Sequence, residues 1–542
     1  MFEMRPDGSI HPLHYRLVNL GINLDALDDR ELAGQLHQPE RNSRQLVVAL
    51  QSGQGETIYQ NTVRVPLWLR GEFHAGDPTL SSAAIDAHHF PLLRPVFVVR
   101  VPAVAGASLV LSDNQLRTLA TFDLDQLAQD TPFIHFAKRP RPLSALSSGR
   151  SDNRVDILFL GDGYTETQQA KFSSDVAGIA ADFFDISPLA EYANFVITHS
   201  LFVTSAQAGA DHPLYQDGCQ SSSCCADTAM LSDPLQGTFV NTAFDARYCT
   251  NNIHRLLTVN FSKVLAAAAA VPEWDEIIVV VNDPTYGGAG GSFSVVSTHA
   301  SATRIAQHEY GHSFVGLADE YETPFPGFPA CSDLGGPPCE VNVTDIVTRS
   351  LIKWSPWISA VTPIPTEPEF DPLFADAVGL FEGARYHSAG IHRSGQSCIM
   401  RALGRPFCQV PSQAYVLRLY DGGWGVPSLG IDLIEPGSAA PEEAVIQLWY
   451  PKSQVFEAEI LQPAGGPPID IRWSVDGVQD LLASTGAFTY RPVASDVGRS
   501  RLVHLRVRDT TSLVHPAMAG SSLESNRFWR LFVNAAPVDI GV

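Results

Sequence analysis

Basic side chains are scarce in this chain. Its 542 residues carry 36 lysines and arginines against 58 aspartates and glutamates, a net charge of −22. That balance argues against a nucleic-acid partner, because phosphate backbones are held by basic stripes. It says little about a peptide substrate, and solubility alone accounts for it. No run approaches the roughly 18 uninterrupted apolar residues of a membrane helix, so no span is expected. Met1-Phe2-Glu3-Met4-Arg5 lacks the basic start and apolar core of a signal peptide. If the protein is secreted, either the signal has been removed or export follows another route. Cysteine is missing from both ends: all eight (Cys219, Cys224, Cys225, Cys249, Cys331, Cys339, Cys398 and Cys408) fall between residues 219 and 408. No internal repeat of convincing period is present. Two other chemistries are also missing. Gly161-Asp162-Gly163 has Glu166 where a dinucleotide loop needs its third glycine, and Gly291-Ser292-Phe293-Ser294 lacks the closing glycine of a nucleophile elbow.

What is present describes a soluble globular chain long enough for about three or four domains, 45% hydrophobic and 17% charged. The even cysteine count in loop-rich surroundings favours disulfides and an oxidising compartment. Cys331/Cys339 and Cys398/Cys408 are close enough in sequence to clip loops, although connectivity stays open. A metal site from Cys219, Cys224 and Cys225 is set aside because no clean CxxC pair occurs. Short apolar runs at Leu46–Leu50, Thr62–Leu69 and Val96–Val101 read as strands of an N-terminal β-sandwich over residues 1–140, with a helical piece near Asp123–Gln129. His88-His89 reads as a pair of surface or loop histidines. Residues 137–150 read as a linker.

Val155–Leu160 is a buried strand by its continuous apolar character. Thr165-Glu166-Thr167-Gln168 has the form of a capping box opening a helix to about Phe184. A second helix is expected over about 252–270, then a central strand Glu276–Asn282, a glycine-rich loop Tyr286–Gly291 and a strand Ser292–Thr298. Thr323–Glu369 is proline-rich, carries Trp354 and Trp357, and contains the sequon Asn342-Val343-Thr344. Beyond residue 428, Ala444–Tyr450, Ile469–Gly477 and Leu502–Arg508 alternate like strands of an immunoglobulin-like or PKD-like sandwich over 428–542.

The chemistry concentrates at His308-Glu309-Tyr310-Gly311-His312. On a helix, residues i and i+4 lie about 6 Å apart on one face, so His308 and His312 can address one zinc ion. Glu309, one step round, is offset from them and suits a base acting on water, whose pKa zinc lowers to about 7.

HEYGHSFVGLADEY, with Ser397-Cys398-Ile399-Met400-Arg401 downstream and Leu160-Gly161-Asp162-Gly163-Tyr164 upstream, resembles the bacterial IgA-peptidase-like zinc metallopeptidases over about residues 152–425. The resemblance implies an α+β metzincin-like catalytic domain flanked by the two sandwiches. In that fold a glycine ends the helix and the chain doubles back to the third ligand, which makes Gly316 the turn and Asp319 the ligand. The helix here is one residue longer than usual, and Ala318 occupies the usual ligand position. The resemblance also implies a methionine turn at Met400 beneath the zinc. The strand at Ser292, Phe293, Ser294 and Val295 becomes the sheet edge on which substrate pairs. Tyr386 becomes a candidate for stabilising the oxyanion or binding zinc reversibly. His387 and His392 are weaker ligand candidates, since Asp319 completes the set.

The function that follows is secreted zinc-dependent hydrolysis of peptide bonds in extracellular proteins or glycoproteins by a monomer, with Glu309 as general base and then acid. Two rivals stay open. One is a gluzincin-like hydrolase whose third ligand is a distant glutamate such as Glu340 or Glu382. The other is a host-glycan or glycoprotein adhesin with a structural metal, which has no use for Glu309.

Overall fold

The computed structural model describes residues 1–13, 43–74, 85–102, 104–130, 141–142, 149–271, 274–301, 303–324, 328, 330–367, 372–420, 429–465, 469–480 and 484–536. Contacts separate two units. The first comprises Met1–Leu146, Asp156–Asp185 and Thr198–Cys408; the second comprises Ser147–Val155, Ile186–Ile197 and Gln409–Val542. The linker expected at 137–150 and the domain end expected at 421–425 lie largely outside the described residues.

In the first unit the runs at Leu46–Leu50 and Thr62–Pro66 fall in an antiparallel sheet in the order Thr57–Pro66, Ser43–Gln51, Ser108–Ser112, Thr118–Asp123, while of the run Val96–Val101 only Val96–Phe97 is strand, paired with Phe2–Met4. Period-two alternation puts Leu46, Val48 and Leu50 on one face, where they pack with Leu109, Leu111 and the Phe2 and Met4 side chains of a small three-stranded sheet. A short helix at Leu124–Asp130 follows, where a helical piece was expected. The next hairpin, Trp68–His74 with Ile85–Pro91, sends its backbone elsewhere. Arg70 exchanges both main-chain hydrogen bonds with Gly290, at 3.0 and 2.9 Å.

A six-stranded mixed sheet carries the rest of the unit. Its order is Arg141–Pro142, Val196–Phe202, Val155–Asp162, Glu276–Val281, Ser294–Ser297, Gly288–Ala289. Val155–Asp162 is buried along its whole length, as its unbroken apolar sequence requires, and runs parallel to Glu276–Val281. The capping box is realised: the Gln168 side chain accepts the Thr165 N–H at 2.9 Å ahead of the helix Gln169–Phe183. The helix expected over 252–270 is shorter, Phe261–Ala268. Cys249, Asn251 and Asn252 take left-handed backbone angles, and the Cys225–Cys249 disulfide holds this stretch in a loop. Helix therefore begins only at the Asn260 cap, whose side chain accepts the Lys263 N–H.

One correction bears on substrate binding. Ser294–Ser297 is not an edge strand, because it pairs with Glu276–Val281 on one side and Gly288–Ala289 on the other. Phe293, Ser294 and Val295 are buried, and Ser292 sits in the turn leading into the strand. Beyond Gly288–Ala289 the chain covers its own sheet edge, through Arg255 and Leu257 at Gly288 and through Arg70 at Gly290.

Three disulfides form: Cys219–Cys224, Cys225–Cys249 and Cys331–Cys339. The Cys398/Cys408 clip does not. Both remain thiols, and the Cys408 N–H donates to Cys398 Sγ at 3.2 Å.

The second unit contains the helix Gln409–Leu419 and a five-stranded sheet in the order Val445–Trp449, Glu524–Asn534, Ser500–Arg508, Asp470–Val475, Val478–Asp480. Trp473 and Trp529 stack at 5.7 Å in its core, with Phe456 and Phe488 from the small facing sheet.

Candidate metal centre

The motif helix, Thr303–Tyr310, has every residue but Arg304 buried. It is pinned at its start. Arg304 pairs bidentately with Asp185 at 2.8 and 2.9 Å. The Gln307 amide donates to the carbonyls of Asp182 and Phe183 at the C-terminal end of the helix Gln169–Phe183. Tyr310 packs between Phe183 and Phe314.

The last turn, Gly311–Val315, is a π-turn. The Gly316 N–H reaches back to Gly311 O as well as His312 O, and Gly316 takes a left-handed φ of 77°. A π-turn accommodates one residue more than an α-turn. The extra residue between His312 and the glycine is absorbed there, and the chain doubles back so that Asp319 faces the helix. Asn342 braces the return. Its side chain accepts from Ala318 N–H and donates to Ala318 O and Glu320 Oε1. Asn342 is wholly buried, so the sequon is a strut and not a glycan acceptor in the folded chain.

Three ligand atoms converge. His308 Nε2 and His312 Nε2 are 3.0 Å apart, and Asp319 Oδ1 lies 3.3 and 3.0 Å from them. His308 Nδ1–H donates to Ile399 O at 2.9 Å, and His312 Nδ1–H donates to Leu317 O at 2.7 Å. With both Nδ1 atoms committed as donors, the neutral rings turn Nε2 lone pairs toward the carboxylate oxygen. Three buried acceptors facing one point are electrostatically unfavourable unless a cation sits among them. Their spacing is close to the about 3.3 Å separating ligands that each lie about 2.0–2.1 Å from a tetrahedral ion. The donor set therefore fits a divalent metal. Next door, burial pushes Glu320 up to about 7.

Met400 is buried beneath the helix. A side chain at Gly311 would meet its sulfur at 2.7 Å, which is why the motif carries glycine there. Met400 O also accepts the Glu320 N–H at 2.8 Å, so one turn supports both the helix and the returning chain. The Glu309 carboxylate lies directly over Gly290: a Cβ at Gly290 would sit 1.7 Å from Oε2.

Tyr386 reaches the centre from the hairpin Phe381–Ala384/His387–Arg393. Its two-residue turn is Arg385-Tyr386, both left-handed (φ 55° and 59°), where such turns ordinarily use Asn-Gly. That conformation costs of order 1–3 kcal/mol at each residue. The neighbours hold it: Arg385 N–H donates to Asp319 O and Tyr386 N–H to Tyr321 O, both at 2.9 Å, while the Arg385 guanidinium grips Glu340. The Tyr386 hydroxyl donates its one proton to Asp319 Oδ2 at 2.7 Å.

The remaining candidates lie elsewhere. Glu340 is taken by Arg385, Glu382 is exposed and accepts the Gly390 N–H, and His387 bonds Arg385 O. Neither these nor His392 belongs to the converging group. Sequence reasoning missed two groups. Tyr321 puts its hydroxyl 3.1 Å from His308 Nε2. His89, read as a surface residue, is buried against Tyr386. Its signal was faint: it lies in the strand Ile85–Pro91, where every second residue turns inward.

Residues 143–374 match the family model described as IgA Peptidase M64. No curated protein matches the chain significantly. Among solved structures, a nucleoside hydrolase-related hypothetical protein from Saccharophagus degradans aligns at 10% identity and TM-score 0.15, covering 70% of this chain and 100% of that one. A Bacteroides uniformis β-glucuronidase 2 aligns at 7% identity and TM-score 0.15, covering 91% of this chain and 58% of that one. The motif helix, its glycine turn and Asp319 all fall inside the matched segment, which belongs to the IgA-peptidase-like metallopeptidase family.

Proposed function

We propose that the protein is a secreted zinc endopeptidase that cleaves extracellular proteins, glycoproteins among them. The observation that carries this is the convergence of His308, His312 and Asp319 on one buried point, with Glu309 adjacent on the same helix. Two imidazoles and a carboxylate suit zinc. When bound, zinc supplies a Lewis acid that polarises the scissile carbonyl and lowers the pKa of water toward about 7.

The chain's own residues do the rest. His308 and His312 would hold the ion through Nε2, in the tautomer fixed by Ile399 O and Leu317 O. Asp319 offers Oδ1 while Tyr386 retains Oδ2. Glu309 accepts the proton of the attacking water and returns it to the leaving amine. Its carboxylate is held over Gly290, away from bulk solvent. Secretion is supported by the three disulfides, which persist in oxidising compartments.

The test is digestion of casein and of a mucin-type glycoprotein by purified protein, with chelator, with zinc restored, and with Glu309→Gln. Cleavage should vanish with chelator and return with zinc. Glu309→Gln should keep about one zinc per chain yet lose roughly 10²–10⁴-fold in turnover. Undiminished cleavage by that variant would place the chemistry elsewhere.

A further inference from the structure

We infer that His89, supplied by the N-terminal hairpin from outside the family-matched segment, is a positioning residue of the metal centre. It fixes the Tyr386 hydroxyl so that Asp319 presents a single oxygen to the metal. The inference rests on the assignment of Asp319 as a ligand.

His89 Nε2 is hydrogen-bonded to the Tyr386 hydroxyl and lies 3.9 Å from Asp319 Oδ2; its side chain is fully buried. The ring stands edge-on to Tyr386 at 4.9 Å and to Phe328 at 5.7 Å. A phenol has one proton to give. Here it goes to Asp319 Oδ2, so the phenol oxygen can only accept from His89, which fixes the imidazole as donor at Nε2. The order of donation is His89 to Tyr386 to Asp319. Each step removes a freedom: His89 sets the rotation of the hydroxyl, the hydroxyl occupies Oδ2, and Oδ1 alone turns to His308 and His312. A carboxylate left to itself can swing to chelate through both oxygens or rotate away. One held at Oδ2 cannot.

The hairpin is anchored for this task. His89 is the cross-strand partner of Arg70, and Arg70 is the residue whose backbone pairs with Gly290 beneath Glu309. One rung of the hairpin therefore touches both sides of the centre, the general base through Gly290 and the third ligand through Tyr386.

The experiment measures zinc affinity by competition with a chromophoric chelator, on the full chain, for His89→Phe, His89→Gln, Tyr386→Phe, the His89→Phe/Tyr386→Phe double variant and Asp319→Ala. Loss of an outer-shell partner should weaken zinc by about 10–100-fold in His89→Phe. His89→Gln, which restores an N–H donor, should recover most of it. The double variant should bind no more weakly than Tyr386→Phe alone, because His89 acts only through that hydroxyl. The inference is overturned if His89→Phe binds zinc like the parent. It is equally overturned if His89→Gln is as weak as His89→Phe, or if the two losses multiply in the double variant. Asp319→Ala separates this from the assignment beneath it: parental zinc affinity there would overturn the ligand set itself, whatever His89 does.

Discussion

Gly290→Ala is the sharpest perturbation the centre offers, since one methyl group addresses one carboxylate. The added Cβ would lie 1.7 Å from Glu309 Oε2, 1.8 Å from Cδ and 2.3 Å from Oε1. All three atoms must retreat, Oε2 from 1.7 Å to at least 3.0 Å, the shortest separation real Cβ atoms tolerate. The Gly290 backbone is not in the left-handed region, so alanine brings no strain of its own. Its main-chain bonds to Arg70 are untouched. A catalytic group displaced by about 1 Å typically costs about 100-fold. The ceiling is the roughly 10²–10⁴-fold contributed by a general base. Turnover of a fluorogenic peptide should therefore fall by about two orders of magnitude in Gly290→Ala, with zinc affinity and thermal stability near parental. In a Glu309→Gln background the same alanine should change little, there being no base left to displace. Parental turnover, or a zinc loss that accompanies the drop, would refute the reasoning.

Gly316→Val should weaken zinc binding by at least tenfold, because a β-branched residue resists the left-handed turn that returns Asp319; chelator competition reads it. The buried cluster His212–Asp233–Asp283, with Nδ1 at 2.8 Å and Nε2 at 3.1 Å from the two carboxylates, gives a pH dependence. Burial lowers the His212 pKa, but the two carboxylates outweigh it and the net shift is upward. Its contribution is complete below the ordinary histidine value of 6.5 and is lost as pH rises through the raised folded value. Asp233 is shifted downward by its histidines against burial, so its contribution holds above 3.8 and is lost in acid. The melting temperature should be highest between those limits, and His212→Gln should lower it by the equivalent of about 3 kcal/mol and flatten its alkaline limb. A His212→Gln curve parallel to the parent would remove the cluster from the account. Thiol titration of denatured, unreduced protein should find two thiols, Cys398 and Cys408; eight would abolish the disulfides and the case for export.

What could be read in the sequence was local. Helical spacing brought His308 and His312 together, a short apolar run marked the strand around Leu46 and period-two alternation the one around Trp473, and the capping box at Thr165 opened the expected helix. Asp319 came from a family pattern corrected for one inserted residue. The failures were long-range. Ser294–Val295 looked like an edge strand because nothing in sequence shows that Gly288–Ala289 and then Arg70 lie beyond it. His89 looked like surface because its partner stands 297 positions away. The helix at 252–270 was overestimated because the alanine run's propensity is local while the Cys225–Cys249 link that excludes it is not. Tyr386 was located but its bond to Asp319 was not, since only geometry shows where a hydroxyl spends its proton.

The π-turn at Gly311–Val315 carries a consequence for ancestry. An insertion ahead of a ligand would ordinarily rotate everything after it by about 100° around the helix and cost the protein its metal. A helix that widens for one turn converts that insertion into a local bulge, leaving the glycine and the carboxylate in step with the histidines. Motif length and ligand geometry are thereby uncoupled. Deleting Ser313 should let the turn relax to an ordinary α-helical one with zinc still bound.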